Sequence, residues 1–132
     1  MASVYDGVDA VQMFIEFFTI MCNETPFGKG LKEKGLTVLY DVHDPETKMY
    51  LDGDNIITGT DCDKYTPMLI MSMAADTIHK YWLKKLALPI ALAKGQIKTK
   101  GPMNKMLALT PIMKPGYEVY PKLCKKYGVP IN

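Results

Sequence analysis

Apolar and polar positions follow two periods along the chain, three to four residues in some blocks and two in others. Across residues 8–23, Val8, Val11, Ile15, Phe18 and Cys22 recur at spacings of three and four, and Phe14 and Met21 widen the stripe. This predicts an amphipathic helix with Asp9, Gln12, Glu16 and Asn23 on its wet side and Asp6 as its cap. Its bulky side chains suit core packing, or alternatively the wall of a ligand pocket. Residues 24–35 read as a connector broken by Pro26, Gly28, Gly30 and Gly35, with a short helical turn over 30–34. Three β-branched and aromatic runs follow at 36–42, 48–51 and 56–58. The turns His43-Asp44-Pro45-Glu46 and Asp52-Gly53-Asp54-Asn55 separate them, which predicts a meander of antiparallel hairpins. After the polar loop Asp61-Cys62-Asp63 comes a fourth strand, 67–71. It is apolar at every position from Met68 to Met71, which predicts burial on both faces.

Ser72 is the expected N-cap of the next helix, with Asp76 in its first turn, where a carboxylate complements the helix dipole. That helix is expected to run to about Leu86, with Ile78, Trp82 and Leu86 on one face, Tyr81 beside them, and Lys80, Lys84 and Lys85 wet. Pro89 starts a short helix that ends at Lys94 before Gly95. In the strand 96–100, lysines alternate with Ile97 and Thr99, so one face is wet. Gly101-Pro102 opens a helix over 103–109. A last helix covers 117–127, with Pro121 near its start or at a kink.

A chain of 132 residues fits one domain spanning 1–132, and 48% hydrophobic residues fit an ordered globular one. The net charge is only +2, but it is unevenly placed. Residues 1–76 hold 13 acids and 5 lysines, a balance of −8. Residues 77–132 hold 11 lysines and the single acid Glu118, a balance of +10. Either the halves neutralise each other on folding, or the second presents a basic face to an anionic membrane or an acidic partner. All 16 basic residues are lysine. Bidentate recognition of phosphate and guanine favours arginine, so nucleic acid is not an expected partner.

Cys22, Cys62 and Cys124 form no Cys-x-x-Cys pair and suggest no disulfide framework, so a reducing, cytoplasmic setting is expected. The first residues lack a secretory signal pattern, and the apolar runs are too short to cross a bilayer. Val129-Pro130-Ile131-Asn132 is not a peroxisomal address.

The best acid/base cluster is Asp41, His43, Asp44 and Glu46. Asp41 and His43 share a strand face, where a carboxylate can orient an imidazole. No Ser or Cys nucleophile is tied to them by spacing, and a polar hairpin turn accounts for the same residues. Gly28-Lys29-Gly30 lacks the phosphate-loop pattern. Two isolated histidines, one of them His79, and no Cys pair give no zinc set. Asp52 to Asn55 lacks the glycine and final Glu of an EF-hand. No catalytic residue, metal or cofactor is therefore expected.

The central stretch carries a family resemblance. A strand ends in Met71-Ser72-Met73-Ala74-Ala75-Asp76. A helix with Trp82 follows, then the alanine-rich segment Pro89 to Gly95 (PIALAKG), then the strand Gln96 to Gly101 (QIKTKG). This ordered series resembles the sterol carrier protein family of lipid-transfer domains. The likeness is best over 71–113, extends more loosely back to Leu36, and covers about two-thirds of the chain. Where the family often has Leu-Gly-Lys after the Trp helix, this chain has Leu83-Lys84-Lys85. The resemblance implies an α+β fold: a five-stranded, largely antiparallel sheet covered by helices, with an apolar tunnel between sheet and helices. It also implies a non-enzymatic protein that binds, and by extension transfers, a fatty acid, acyl-CoA or sterol-like molecule.

The residues agree with a cavity. Ten methionines are present, six of them between Met68 and Met113; unbranched thioethers fill ordinary cores and also re-pack around varied ligands. Met103, Met106, Leu107 and Met113 lie between proline breaks, as a lid or portal would. The expected lipid-binding set is Ile78, Trp82, Ile97, Met103, Met106, Leu107 and Met113. The lysines of 94–105 form either a solvated face or a partner for a carboxylate, a CoA phosphate or a lipid headgroup. Two other readings stand beside the carrier: an interaction module that docks a partner enzyme or forms an oligomer, and an enzyme built on Asp41 and His43.

Overall fold

The computed structural model describes residues 3–131. Met1, Ala2 and Asn132, which belong to the terminal sequences considered above, lie outside them. Helix α1 (Ala10–Glu24) opens the fold, capped by Asp9, whose carboxylate accepts from the Gln12 amide at 3.1 Å; Asp6 is not the cap. The buried stripe is Ala10, Met13, Phe14, Phe17, Phe18 and Met21, while Val11 is 41% exposed. Relative to the periodicity, the helix is rotated so that Phe17 enters the core and Val11 leaves it. A phenyl ring buries more apolar area than a small branched chain.

The connector is more regular than its glycines suggest, because α2 (Phe27–Glu33) occupies most of it. Strands β1 (Val38–His43), β2 (Thr47–Leu51) and β3 (Ile56–Thr58) form the expected antiparallel meander. A 3-10 turn (Gly59–Lys64) takes the place of the polar loop. The chain then passes to the free side of β1, where β4 (Leu69–Ala74) pairs in parallel, and β5 (Ile97–Lys100) closes the sheet antiparallel to β4. The strand order is β3-β2-β1-β4-β5. The fold is thus α+β with a mostly antiparallel, mixed five-stranded sheet.

Helices cover one sheet face. Val38, Tyr40, Val42, Met49, Leu51, Leu69, Met71, Met73 and Ile97 point into it and are all buried. The other face carries Leu39, Asp41, Ile70 and Ser72, half-buried, with Lys98 and Lys100 exposed. For this reason the apolar run of β4 is buried alternately, not on both faces as its composition suggested. Ser72 consequently lies inside β4 instead of capping a helix. Pairing with β1 continues to Ala74, and Ser72 Oγ donates to Asp41 Oδ2 at 3.2 Å.

Helix α3 (Ala75–Trp82) begins immediately after β4, with Asp76 in its first turn as expected. The Asp76 carboxylate accepts from Ser3 Oγ at 2.7 Å and from the Val4 amide, which anchors the N-terminal segment. The helix stops four residues short of Leu86. Lys85 N bonds to Lys80 O and Lys84 N to Tyr81 O, with Lys84 at φ 62. This is the Schellman stop that normally takes glycine, and the family's glycine falls at this position.

Helices α4 (Leu88–Ala93), α5 (Met103–Ile112) and α6 (Gly116–Tyr127) complete the chain. Gly116 brings α6 against the Trp82 ring: a Cβ there would lie 2.4 Å from Cζ3. The core between the layers is aromatic. Phe17 and Trp82 rings are 4.9 Å apart, as are Phe18 and Tyr40, while Phe17 meets Tyr120 edge-on at 5.7 Å. Beside them runs a buried polar chain. The Tyr120 hydroxyl lies 2.7 Å from His79 Nδ1 and is hydrogen-bonded to the Tyr5 hydroxyl. Burial lowers the His79 pKa from 6.5, with Asp76 pulling the other way.

Three stability effects are expected. Gly116→Ala should cost about 1–3 kcal/mol through overpacking against Trp82, read as a lower midpoint in urea. Tyr40→Phe should stabilise by about 1 kcal/mol, because Tyr40 Oη is buried without a hydrogen-bond partner and Phe removes that desolvated hydroxyl. The His79 effect has a definite sign: the folded ring resists protonation, so the unfolded state binds more protons as pH falls. Stability should be full above 6.5 and decline below it, and His79→Gln should flatten that slope in thermal melts at several pH values.

Candidate functional site

A largely apolar depression lies between α4 and α5. Pro89 sits in the first turn of α4, where its missing amide donor costs nothing, and turns Leu88 and Leu92 toward α5. Gly101, at φ 125, lies so close to the Met68 carbonyl that no side chain fits, and it swings the chain from β5 into α5. Helix α5 then offers Met103, Met106 and Leu107 across from Leu88 and Leu92, and Lys114 closes one end. The groove measures about 400 Å³, within the roughly 300–1,000 Å³ of small-molecule pockets. Met103 and Leu107, one turn apart, are 62% and 64% exposed. Past Pro111 and Lys114 a second depression of about 650 Å³ opens, bordered by Glu24 and Glu118. Lys114 makes no ion pair among the described residues.

Of the seven residues expected to touch lipid, Met103, Met106 and Leu107 line this groove. Ile78, Trp82, Ile97 and Met113 do not. Each is at most 2% exposed and packed in the core. The reason is the aromatic filling of α1, which the periodicity had placed one step out of phase. Trp82, Tyr40, Tyr120, Phe14, Phe17 and Phe18 are among the largest fully buried side chains of the core. Within that filling, Trp82 Nε1 joins Tyr40 Oη as a buried polar atom without a partner. Leu88 and Leu92 went unread as site residues. Their signal was present, since they are the apolar pair four apart on the proline-started helix.

The acid/base cluster is arranged differently from its strand spacing. His43 Nδ1 meets Asp44 Oδ2 at 3.0 Å, both groups exposed, while Asp41 accepts from Ser72. The serine hydroxyl is thus held by the Asp41 carboxylate and the imidazole by Asp44, so the histidine and the serine are not joined to each other. A polar hollow of about 410 Å³ lies beside His43 and Ser72. Among the described residues no three His, Cys, Asp or Glu side chains gather closely enough to hold a metal. The three cysteines are free thiols, and burial pushes Cys22 up to about 11, away from thiolate chemistry. No described helix is long and apolar enough to cross a membrane.

With the geometry in place, known structures give the frame. Apo sterol carrier protein 2 from Yarrowia lipolytica superposes with a TM-score of 0.60 at 16% identity, covering 85% of this chain and 94% of that one. The chain has the sterol carrier protein 2 fold. The sterol carrier protein domain 2 of Helicoverpa armigera agrees, with a TM-score of 0.58 at 13% identity over 81% of this chain and 86% of that one. No family model matches the sequence, and no curated protein matches it. The sheet is largely antiparallel, as the sequence resemblance implied, with one parallel pair, β1–β4, and the Trp82 helix follows β4.

Proposed function

We propose that this protein binds a long-chain lipid with an anionic head, a fatty acid being the simplest, without chemical conversion. The observation that carries this reading is the α4–α5 groove: exposed Met103 and Leu107 facing leucines, with an unpaired lysine at the end. An acyl chain laid along it removes apolar surface from water on both sides, at roughly 0.8 kcal/mol per buried methylene. The loss of translational freedom and chain ordering is subtracted from that sum. Unbranched Met103 and Met106 adapt to chains of different length or saturation, so the groove selects weakly among tails. Lys114 supplies the polar end of the recognition, offering three N–H donors to a carboxylate or an acyl-CoA phosphate. The sterol carrier protein 2 structures sharing the fold support a lipid cargo by their names. Transfer between membranes follows from the same shallow site, which a ligand enters and leaves from one side. Nothing in the arrangement of Asp41, His43 and Ser72 calls for a reaction step.

Titration with a fluorescent fatty acid should saturate at one equivalent, and native mass spectrometry should retain the complex. Leu107→Asp should weaken binding by about tenfold or more, since it sets a charge against the chain. Lys114→Ala should weaken a fatty acid by up to about fivefold, the scale of an exposed ion pair, and leave its methyl ester unchanged. Absence of saturable binding by the unmodified protein would overturn the reading.

A further inference from the structure

The segment ahead of α1, residues 3–8, forms turns but no helix or strand. Among the described residues, three hydrogen bonds tie it to the rest of the fold. The Asp76 carboxylate accepts from Ser3 Oγ and from the Val4 amide, and the Tyr5 hydroxyl bonds that of Tyr120. Tyr5 is buried, its ring 5.7 Å from that of Phe14 and edge-on to His79 at 5.8 Å. The segment thus lies as a strap against α1, α3 and α6, and its innermost bond leads to a histidine. The protons along that chain have one satisfying arrangement. The Pro130 carbonyl, another polar neighbour of the ring, can only accept, which assigns the ring proton to Nε2 and leaves Nδ1 bare. The Tyr120 hydroxyl, 2.7 Å from Nδ1, therefore donates to it and accepts from Tyr5.

We propose that protonation of His79 releases residues 3–8, which makes this segment an acid-sensitive strap over the aromatic core. A second proton on the ring reverses the sequence of bonds. Nδ1 then donates to Tyr120, Tyr120 turns its O–H toward Tyr5, and the Tyr5 hydroxyl proton loses its acceptor. The Cys124 thiol beside Tyr120 is the alternative acceptor, and sulfur is a weak one. A buried donor without a partner is costly, and a segment held by so few bonds is cheap to open. Water then satisfies both hydroxyls and the imidazolium. The surroundings of the ring agree. Burial holds it neutral, Asp76 favours the charge, and Lys85 and Lys80 oppose it. Burial also keeps Tyr5, Tyr120 and Cys124 protonated, so none of them supplies a countercharge. Release uncovers Phe14 and Tyr120. The device lies apart from the α4–α5 groove and does not rest on the lipid-site reading.

The test is amide hydrogen exchange of the full chain between about pH 8 and about pH 5, the range in which histidine titrates, corrected for the intrinsic rate. The amides of Val4, Asp6 and Val8 are hydrogen-bonded in the closed segment. Their protection should fall by about tenfold for each pH unit below 6.5, which is what one coupled proton gives. The amides of Phe17 and Phe18 should remain far slower throughout, which separates release of the strap from unfolding. His79→Gln, which cannot titrate, should abolish the acid loss. In the unmodified protein, the ring signals of His79 in NMR spectra should titrate over the pH range in which the segment opens. Segment protection indifferent to pH, opening only together with α1, or His79 titrating while the segment stays closed would overturn the proposal, as would an acid loss that persists in His79→Gln.

Discussion

The packing of the α1 phenylalanines against the sheet and the two helices beside them sets every other position in the fold. Phe17 touches Trp82 and Tyr120, and Phe18 lies on Tyr40, so one helical ridge grips β1, α3 and α6 together. Aromatic groups of this size bury much area per residue and prefer tilted and edge-on contacts over loose stacking, which fixes the helix rotation tightly. Gly116 is the price of that fit, because α6 can approach the indole only without a side chain. The buried Tyr5–Tyr120–His79 chain then ties the N-terminal segment to α3 and α6 with directional bonds at the rim of the same cluster.

With rings buried at the centre, several large apolar side chains are left exposed at the periphery. The helices that are not gripped by the ridge, α4 and α5, are short and proline-marked, and they keep Met and Leu at the surface. They also belong to the lysine-rich half of the chain.

Much of the architecture was legible in the chain. The three hairpin strands, the alternation of Lys98 and Lys100 with Ile97, and the helix starting at Pro89 follow from period and punctuation. Met103, Met106, Leu107 and Met113 read as one unit between proline breaks, and the first three share the groove while Met113 is buried. The misplacements have physical causes. Two overlapping stripes run along α1, and only tertiary contact chooses the one with Phe17. Ser72 looks like a cap, but strand pairing with β1 extends two residues beyond it. Trp82 looks like pocket lining, but a large ring next to a glycine is better used as filler. Lys84 is the instructive exception: a residue at odds with the family pattern adopts the glycine conformation anyway, because the helix stop demands it.

The parallel pairing of β1 with β4 has a bearing on synthesis. Val38 and Leu69 are partners across about thirty residues of chain, so the central ladder closes only after a long loop has been ordered. During translation, the meander emerges first and leaves one side of β1 as a bare row of amides and carbonyls. Until Leu69 and its followers leave the ribosome, the nascent chain carries an unprotected edge, open to a neighbouring copy.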